Sequence, residues 1–331
     1  MREITYRDAI NEAIAEEMAK DNNIIILGED VGLFGGAMAV TKGLYARFGP
    51  KRVIDTPISE SVIIGAALGS ALTGLRPIAE IMFIDFIGTC MDQVFNQVAK
   101  TRFMLGGNIK VPLVIRTQGG AGKSYAAQHS QSLEAWFIHV PGIKVVMPST
   151  PYDAKGLLKS AIRDDNPVLF IEHKLLYNEK GLIPEEEYIE PLGKAEVKKP
   201  GEDITLVTYS RMVLNALEAA DSLKLDGIDV EVIDLRTLSP MDIETVINSV
   251  KKTNRLIILE EDCKTGGVGA EISAQITEKV FDYLDGPIER IAAMDTPIPF
   301  NHNLEKIVIP QTDVVVKKIK KIFNKPDLKI N

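Results

Sequence analysis

The chain has 331 residues, 45% hydrophobic and 25% charged, a globular composition with room for about two domains. Its 38 basic and 46 acidic residues leave a net charge of −8, which excludes sequence-independent nucleic-acid binding through clustered Lys and Arg. Cys90 and Cys263 lie far apart inside apolar patterns, so no disulfide framework is implied and a reducing, cytoplasmic setting is expected.

The opening segment, MREITYRDAINEAIAEEMAKD, is amphipathic and rich in acid. It has neither the apolar core of a signal peptide nor the acid-poor character of a transit peptide. Thr5-x-x-Asp8 is a capping box and predicts a helix to about Lys20. IIILG (24–28) is an apolar run ending in glycine, as a buried parallel strand would be, and KRVID (51–55) is a second strand. SESVIIGAALGSALTG predicts a helix with Ser59 as N-cap and Gly74 just past its end. Strand RPIAEIMF, helix DFIGTCMDQVFNQVAKTR and strand VPLVIRT follow. After the glycine-rich run TQGGAGKSY come strand IKVVMPS, helix TPYDAKGLLKSAIRD and strand PVLFIEH. This alternation predicts a doubly wound parallel α/β domain over 1–180.

The polar segment after PVLFIEH, punctuated by Pro and Gly, reads as a linker, assigned to 181–202. A second, smaller doubly wound α/β domain occupies 203–331. Its strands are ITLVTYS, DVEVIDL, RLIILEE and PIERIAA, with helices at about 211–225, 240–251 and 268–283. The lysines of the tail VVVKKIKKIFNK read as a solvated helix face. No apolar run reaches the roughly 18–20 residues of a membrane span, so no membrane association is expected.

Several tempting motifs fail. GGAGKS has Thr117 where a phosphate-binding loop needs glycine, and GGVGAE places Ile272 on the last glycine of a dinucleotide fingerprint. Neither cysteine has a partner at zinc-ligand spacing, nor do His129 and His139. The Gly-x-Ser-x-Gly turn of a serine hydrolase is absent. What remains is an edge. Open α/β sheets bind ligands beyond the C-terminal ends of their strands. Glu29 follows IIILG, Glu60 follows VID, Phe86 follows RPIAEIMF, and His129 ends the glycine loop in AAQHSQS. Taken singly, Glu60 is also a normal first-turn acid that favours the helix dipole, and His129 is either a proton donor or a packed side chain.

LGED, DTPISE, GLRPIAEIMF, AAQHSQS, PGIKVV, SAIRDDNP, DLRTLSP, TNRLIILEE and DTPIPF together resemble the E1 β subunits of 2-oxo acid dehydrogenase complexes. The resemblance spans nearly the whole chain. It implies an N-terminal thiamine-diphosphate pyrimidine-binding domain and a transketolase C-terminal-like domain. FIGTCMDQVFNQ, AAQHSQSL, SPMD and PLGKAEV look most like acetoin dehydrogenase β chains. The short loop after Gly32 suits the pyruvate type, and Gln128 beside His129 sets the branched-chain type third.

The resemblance further implies roles for single residues. Glu60 matches the acid that bonds N1′ of the cofactor's aminopyrimidine, and should be buried. Phe86 matches the aromatic stacked on that ring; Glu29, Ile58 and Met82 match cofactor-lining positions. His129 matches a proton donor at the reacting centre, a task suited to an imidazole's unperturbed pKa of about 6.5. Ser130 and Gln131 would orient it, and the glycine run would be a mobile loop closing over substrate. Leu113, Ala161, Ile162, Asp164 and Asn166 match backbone-oxygen ligands of a structural monovalent cation, often potassium. Asp285 matches a contact to the E2 dihydrolipoyl acyltransferase. The chain lacks the GDG motif that holds Mg²⁺ and diphosphate. A partner α chain would supply that half in an α2β2 heterotetramer that acts on a small ketone substrate and passes the product to the lipoyl domain of E2. A self-contained transketolase-like enzyme and a non-catalytic scaffold are the other readings.

Overall fold

The computed structural model describes residues 1–323, so Asn324 and Lys325 of the tail motif lie outside the described residues. The chain opens with β1 (Arg2–Thr5) and α1 (Tyr6–Lys20). The Thr5 hydroxyl accepts from Asp8 N at 3.1 Å, the cap that the sequence predicts. The N-terminal sheet then forms from β2 (Ile24–Gly28), β3 (Val53–Asp55), β4 (Arg76–Ile81), β5 (Val114–Gly119), β6 (Lys144–Val146) and β7 (Val168–His173), all parallel. Its covering helices include α2 (Leu44–Phe48), α3 (Glu60–Leu72), α4 (Ala99–Met104), α5 (Glu134–Ile138) and α6 (Pro151–Arg163).

Two local readings change. Ser59 holds the N-cap position of α3, but its side chain makes no capping bond. The segment after β4 is not one α-helix. It runs as a 3₁₀-helix over Ile84–Cys90 and a π-helix over Gln93–Val98 before α4. Thr89 donates back to Phe86 O at 2.7 Å and Cys90 Sγ to Ile87 O at 3.3 Å, local bonds that compete with a regular ladder.

The expected linker is structured. β8 (Lys180–Ile183) pairs antiparallel with β1, and β9 (Glu196–Lys199) forms an antiparallel edge of the C-terminal sheet. Between them Tyr188 stacks on Tyr152 at 4.6 Å, and Tyr152 donates to Glu190 at 2.7 Å. Polar composition reads as a loop because these strands bury one face and solvate the other.

The second sheet is ordered β14-β13-β10-β11-β9, with β10 (Ile204–Thr208), β11 (Val230–Asp234), β13 (Leu256–Cys263) and β14 (Glu289–Ala293) parallel. β12 (Thr237–Ser239) leaves this domain and pairs antiparallel with β6, giving the first sheet the order β12-β6-β7-β5-β4-β2-β3. The remaining helices are α7 (Met212–Leu225), α8 (Ile243–Thr253), α9 (Val268–Val280), α10 (His302–Val308) and α11 (Thr312–Ile322). One apolar core runs through both domains, from Ile63 and Phe137 to Val207, Ile258 and Ile276. The lysine tail is not a uniformly solvated face: Lys320 is buried and paired with Asp226 at 2.8 Å, beside Val315 and Ile319 in the core.

Candidate functional site

The C-terminal ends of β2, β3, β4, β5 and β7 share one edge because the strands are parallel and in register. Glu29 emerges one residue past β2, and its buried Oε1 has no hydrogen-bond partner among the described residues. Burial pushes its carboxyl above the usual range, and the charge of Glu60 adds to that. Glu60 opens α3, and its side chain makes no hydrogen bond or ion pair among the described residues. It is half-buried in this single chain rather than buried as expected. Ser61 donates to Thr89 O at 3.0 Å, and Thr89 donates to Phe86 O, so the start of α3 is tethered to the segment carrying Phe86.

Phe86 is half-buried and meets the His129 ring edge-on, centroids 5.3 Å apart at 74°. Phe83 meets the same imidazole at 5.7 Å and 74°. Ser130 and Gln131 do not orient the ring. The Ser130 hydroxyl is buried without a partner among the described residues, and Gln131 donates from N (3.2 Å) and Nε2 (2.9 Å) to Asp85. The ring is set instead by T-shaped contacts with two phenyl rings. The His129 carbonyl accepts from Lys174, a buried residue one position past β7 whose Nζ lies 5.1 Å from the Phe83 ring centroid. Sequence reading passed over Phe83, Asp85 and Lys174. Of Lys174, the one available signal was its place at a parallel strand's C-terminal end. Met82 is half-buried at the same edge, while Ile58 is 81% exposed and belongs to no core.

The glycine run is held down. Ala121 N donates to Glu261 at 2.6 Å, and Gly122 N and Ser124 N donate to Glu305 at 2.7 and 3.1 Å, both carboxylates belonging to the C-terminal domain. Gly120 sits at φ +84°, and a Cβ there would lie 2.1 Å from His173 Nε2, so only glycine fits. Leu175 N donates to His173 Nδ1 at 3.1 Å, which leaves Nε2 to donate to Glu261 at 2.9 Å. The expected free lid is therefore a loop clamped by backbone amides on buried acids.

Beside the clamp, Glu134, Glu260 and Asp262 are buried together at the domain interface. Burial is the main cause that raises all three, Glu260 to about 7 and Asp262 to about 6. Tyr209 donates to Glu134 at 3.0 Å, and Gly269 N donates to Glu260 at 2.8 Å. An acid raised in the folded state stabilises below its unfolded pKa and loses that contribution as pH rises through the folded value. Glu260→Gln should therefore gain stability relative to the parent between pH 5 and 8, by up to about 3 kcal/mol. Paired thermal melts at pH 5 and 8 measure this; an equal offset at both values removes Glu260 from the titration.

The expected cation ligands gather where α6 ends. Val168 N donates to Leu113 O at 2.9 Å and Asp164 N to Ala161 O at 3.3 Å. Arg76 donates to Ile162 O at 2.9 Å and to Asp164 O at 2.8 Å, so a guanidinium faces two of these carbonyls. Asn166 donates to the Asp164 carboxylate from both its N (2.9 Å) and Nδ2 (2.8 Å). Asp285 is exposed, pairs with Arg255 at 3.3 Å, and borders a surface pocket of about 340 Å³ that includes Lys318 and Lys321.

Beneath the edge, wholly buried Arg116 forms a bidentate pair with Glu172 (2.6 and 2.8 Å) and a second pair with Glu80 (2.8 Å). Tyr177 donates to Glu172 at 2.7 Å, and Ala37 N donates to Glu80 at 3.1 Å. This triad ties together β4, β5 and β7, the strands that deliver Met82, the glycine loop and Lys174.

A family model described as the transketolase pyrimidine binding domain matches residues 2–180, and one described as the transketolase C-terminal domain matches residues 193–315. A solved structure described as a split gene transketolase, inactive beta4 tetramer, shares the fold with a TM-score of 0.79 at 23% identity, over 97% of this chain and 98% of that one. Fold and edge together define a transketolase-type α/β protein with a pyrimidine-binding domain and a C-terminal domain. The pyruvate dehydrogenase E1 component subunit beta of Gracilaria tenuistipitata var. liui is 49% identical over 97% of this chain and 100% of its own. The acetoin:2,6-dichlorophenolindophenol oxidoreductase subunit beta of Bacillus subtilis (strain 168) is 50% identical over 99% of both. The chain belongs to the family of E1 β subunits of thiamine-diphosphate-dependent dehydrogenase complexes. No described helix is long and apolar enough to cross a membrane.

Proposed function

We propose that this chain is the β half of an α2β2 E1 enzyme of the acetoin or pyruvate type, an oxidoreductase component active only with its α partner. The observation that carries the reading is the convergence on one sheet edge of the unpaired carboxylate of Glu60, the Phe86 face and the His129 ring. A flat half-buried phenyl face and two acids suit an aminopyrimidine, so the residues present fit that half of thiamine diphosphate. When bound, the cofactor supplies a carbanion at thiazolium C2 that adds to the substrate carbonyl. Glu60 would hold a proton at pyrimidine N1′, with Glu29 and Met82 lining the ring, Phe86 against its face and exposed Ile58 toward the partner. His129 would deliver a proton to the substrate oxygen and meet the incoming lipoyl group of E2.

Mg²⁺ and the diphosphate fall to the α chain. Free lone pairs on the carbonyls of Leu113, Ala161, Ile162, Asp164 and Asn166 would hold a potassium ion beside Arg76. Asp285 and the charged pocket beside it would take the binding domain of E2. Two unpaired cysteines suit the cytoplasm.

The test is co-expression with the α partner and turnover on acetoin and pyruvate with an artificial electron acceptor. Acetoin turnover is the expected result; turnover of pyruvate alone overturns the acetoin choice. Tight thiamine diphosphate binding by the β chain alone would overturn the shared site.

A further inference from the structure

Lys174 is a charged group that the site as described does not use. It is 1% exposed, and no carboxylate lies within 4 Å of its ammonium among the described residues. Its contacts are the His129 carbonyl and the face of Phe83, 5.1 Å from the ring centroid. A buried ammonium is costly unless its donors and charge are answered. Here a carbonyl dipole and an aromatic quadrupole answer it, and both belong to groups that touch the His129 residue. On the far side of the same turn, Asp85 accepts both the backbone and side-chain N–H of Gln131. The QHSQ turn is thus gripped at 129 by a cation and at 131 by an anion, with Phe83 and Phe86 flanking the ring.

We propose that Lys174 is a positioning residue for His129: its ammonium, seated on Phe83 and bonded to the His129 carbonyl, fixes where the imidazole stands over the reacting centre. The inference rests on the role given to His129 above. A charged donor holds a carbonyl about twice as strongly as a neutral one, so the grip weakens when the ammonium loses its proton. Burial brings that loss down to about 8, against the opposing charges of Asp85, Glu261 and Glu305. The other titratable rings nearby are His129 itself, His173, which is committed to Glu261, and Tyr125, tilted against Phe83 at 6.3 Å. Below this pH the grip is complete, and it fades as pH rises through it.

The experiment uses the assembled α–β enzyme and follows kcat for transfer to a lipoyl acceptor from pH 6 to 9.5. The parent should lose turnover along an alkaline limb near pH 8. Lys174→Met should lower kcat roughly tenfold to a hundredfold, abolish that limb, and leave thiamine diphosphate affinity within about twofold. Lys174→Arg should recover part of the rate and move the limb beyond the measured range. Asp85→Asn keeps an acceptor for Gln131 but removes a charge that supports the ammonium, so it should shift the limb to lower pH; this variant serves should Lys174→Met fail to assemble. An unchanged limb in Lys174→Met, or in Asp85→Asn should Lys174→Met fail to assemble, or an equal loss of cofactor affinity and kcat in Lys174→Met, overturns the proposal. Glu60→Gln separates the two levels: near-normal turnover there removes the parent reading, whereas an inactive Glu60→Gln with an unaffected Lys174→Met removes this inference alone.

Discussion

Glu60→Gln is expected to cut turnover of the assembled enzyme roughly a hundredfold to a thousandfold while leaving its melting temperature unchanged. The two halves of this expectation have separate causes. The Glu60 side chain is half-buried, has no hydrogen bond and no ion pair among the described residues, and stands in the first turn of α3. Substitutions at such positions usually change stability by less than about 0.5 kcal/mol. Losing the charge even relieves Glu29, whose carboxyl is raised partly by Glu60. Beyond the small helix-dipole contribution of a first-turn acid, the fold asks for no acid at this position. In the proposed reading the acid serves proton transfer, for which a positioned group contributes about 10²–10⁴-fold. Glutamine keeps the shape and the acceptor but cannot hold and release the proton. Turnover on acetoin and pyruvate, with a melt of the same sample, measures both. A variant that melts early and turns over normally would mean that Glu60 is structural.

The parallel strands, their helices and the edge that collects Glu29, Glu60, Phe86 and His129 were legible because each rests on short-range pattern. Apolar runs ending in glycine, a capping box and strand-end position are properties of a few consecutive residues. What the sequence hid depends on pairing at a distance. β8 and β9 look like loop because their partners, β1 and β11, lie about 180 and 35 residues away. β12 belongs by sequence to one domain and by hydrogen bonding to the other. The glycine run looks like a free lid until Glu261 and Glu305 arrive from the C-terminal domain to bind its amides. Ser130 and Gln131 are next to His129 in the chain yet turn away from its ring, whereas Phe83 and Lys174, 46 and 45 residues distant, set its place. Proximity in sequence was a poor guide to what orients the histidine.

The same long-range logic governs stability beneath the edge, and Arg116→Met should expose it. The substitution is close in volume, so little packing is lost. What it leaves is two carboxylates, Glu80 and Glu172, with no counter-charge at 1% and 0% side-chain exposure. Burial already pushes the Glu80 carboxyl up against the pull of Arg116. Removing one partner of a buried pair costs about 3–5 kcal/mol, because the remaining charge is stranded, whereas replacing the whole cluster is often neutral. Arg116→Met should therefore lower the urea midpoint sharply at pH 7.5 and less at pH 5, where the stranded acids take up protons. The triple variant with Glu80→Gln and Glu172→Gln should regain much of the loss. Activity should follow stability here in a way it does not for Glu60. Glu80 lies two residues before Met82 and Glu172 two before Lys174, so a triad that slips moves both flanks of the His129 turn. A triple variant as unstable as Arg116→Met would show that the cation itself, through its bonds across β4, β5 and β7, contributes the stability, and that stranded charge is the lesser effect.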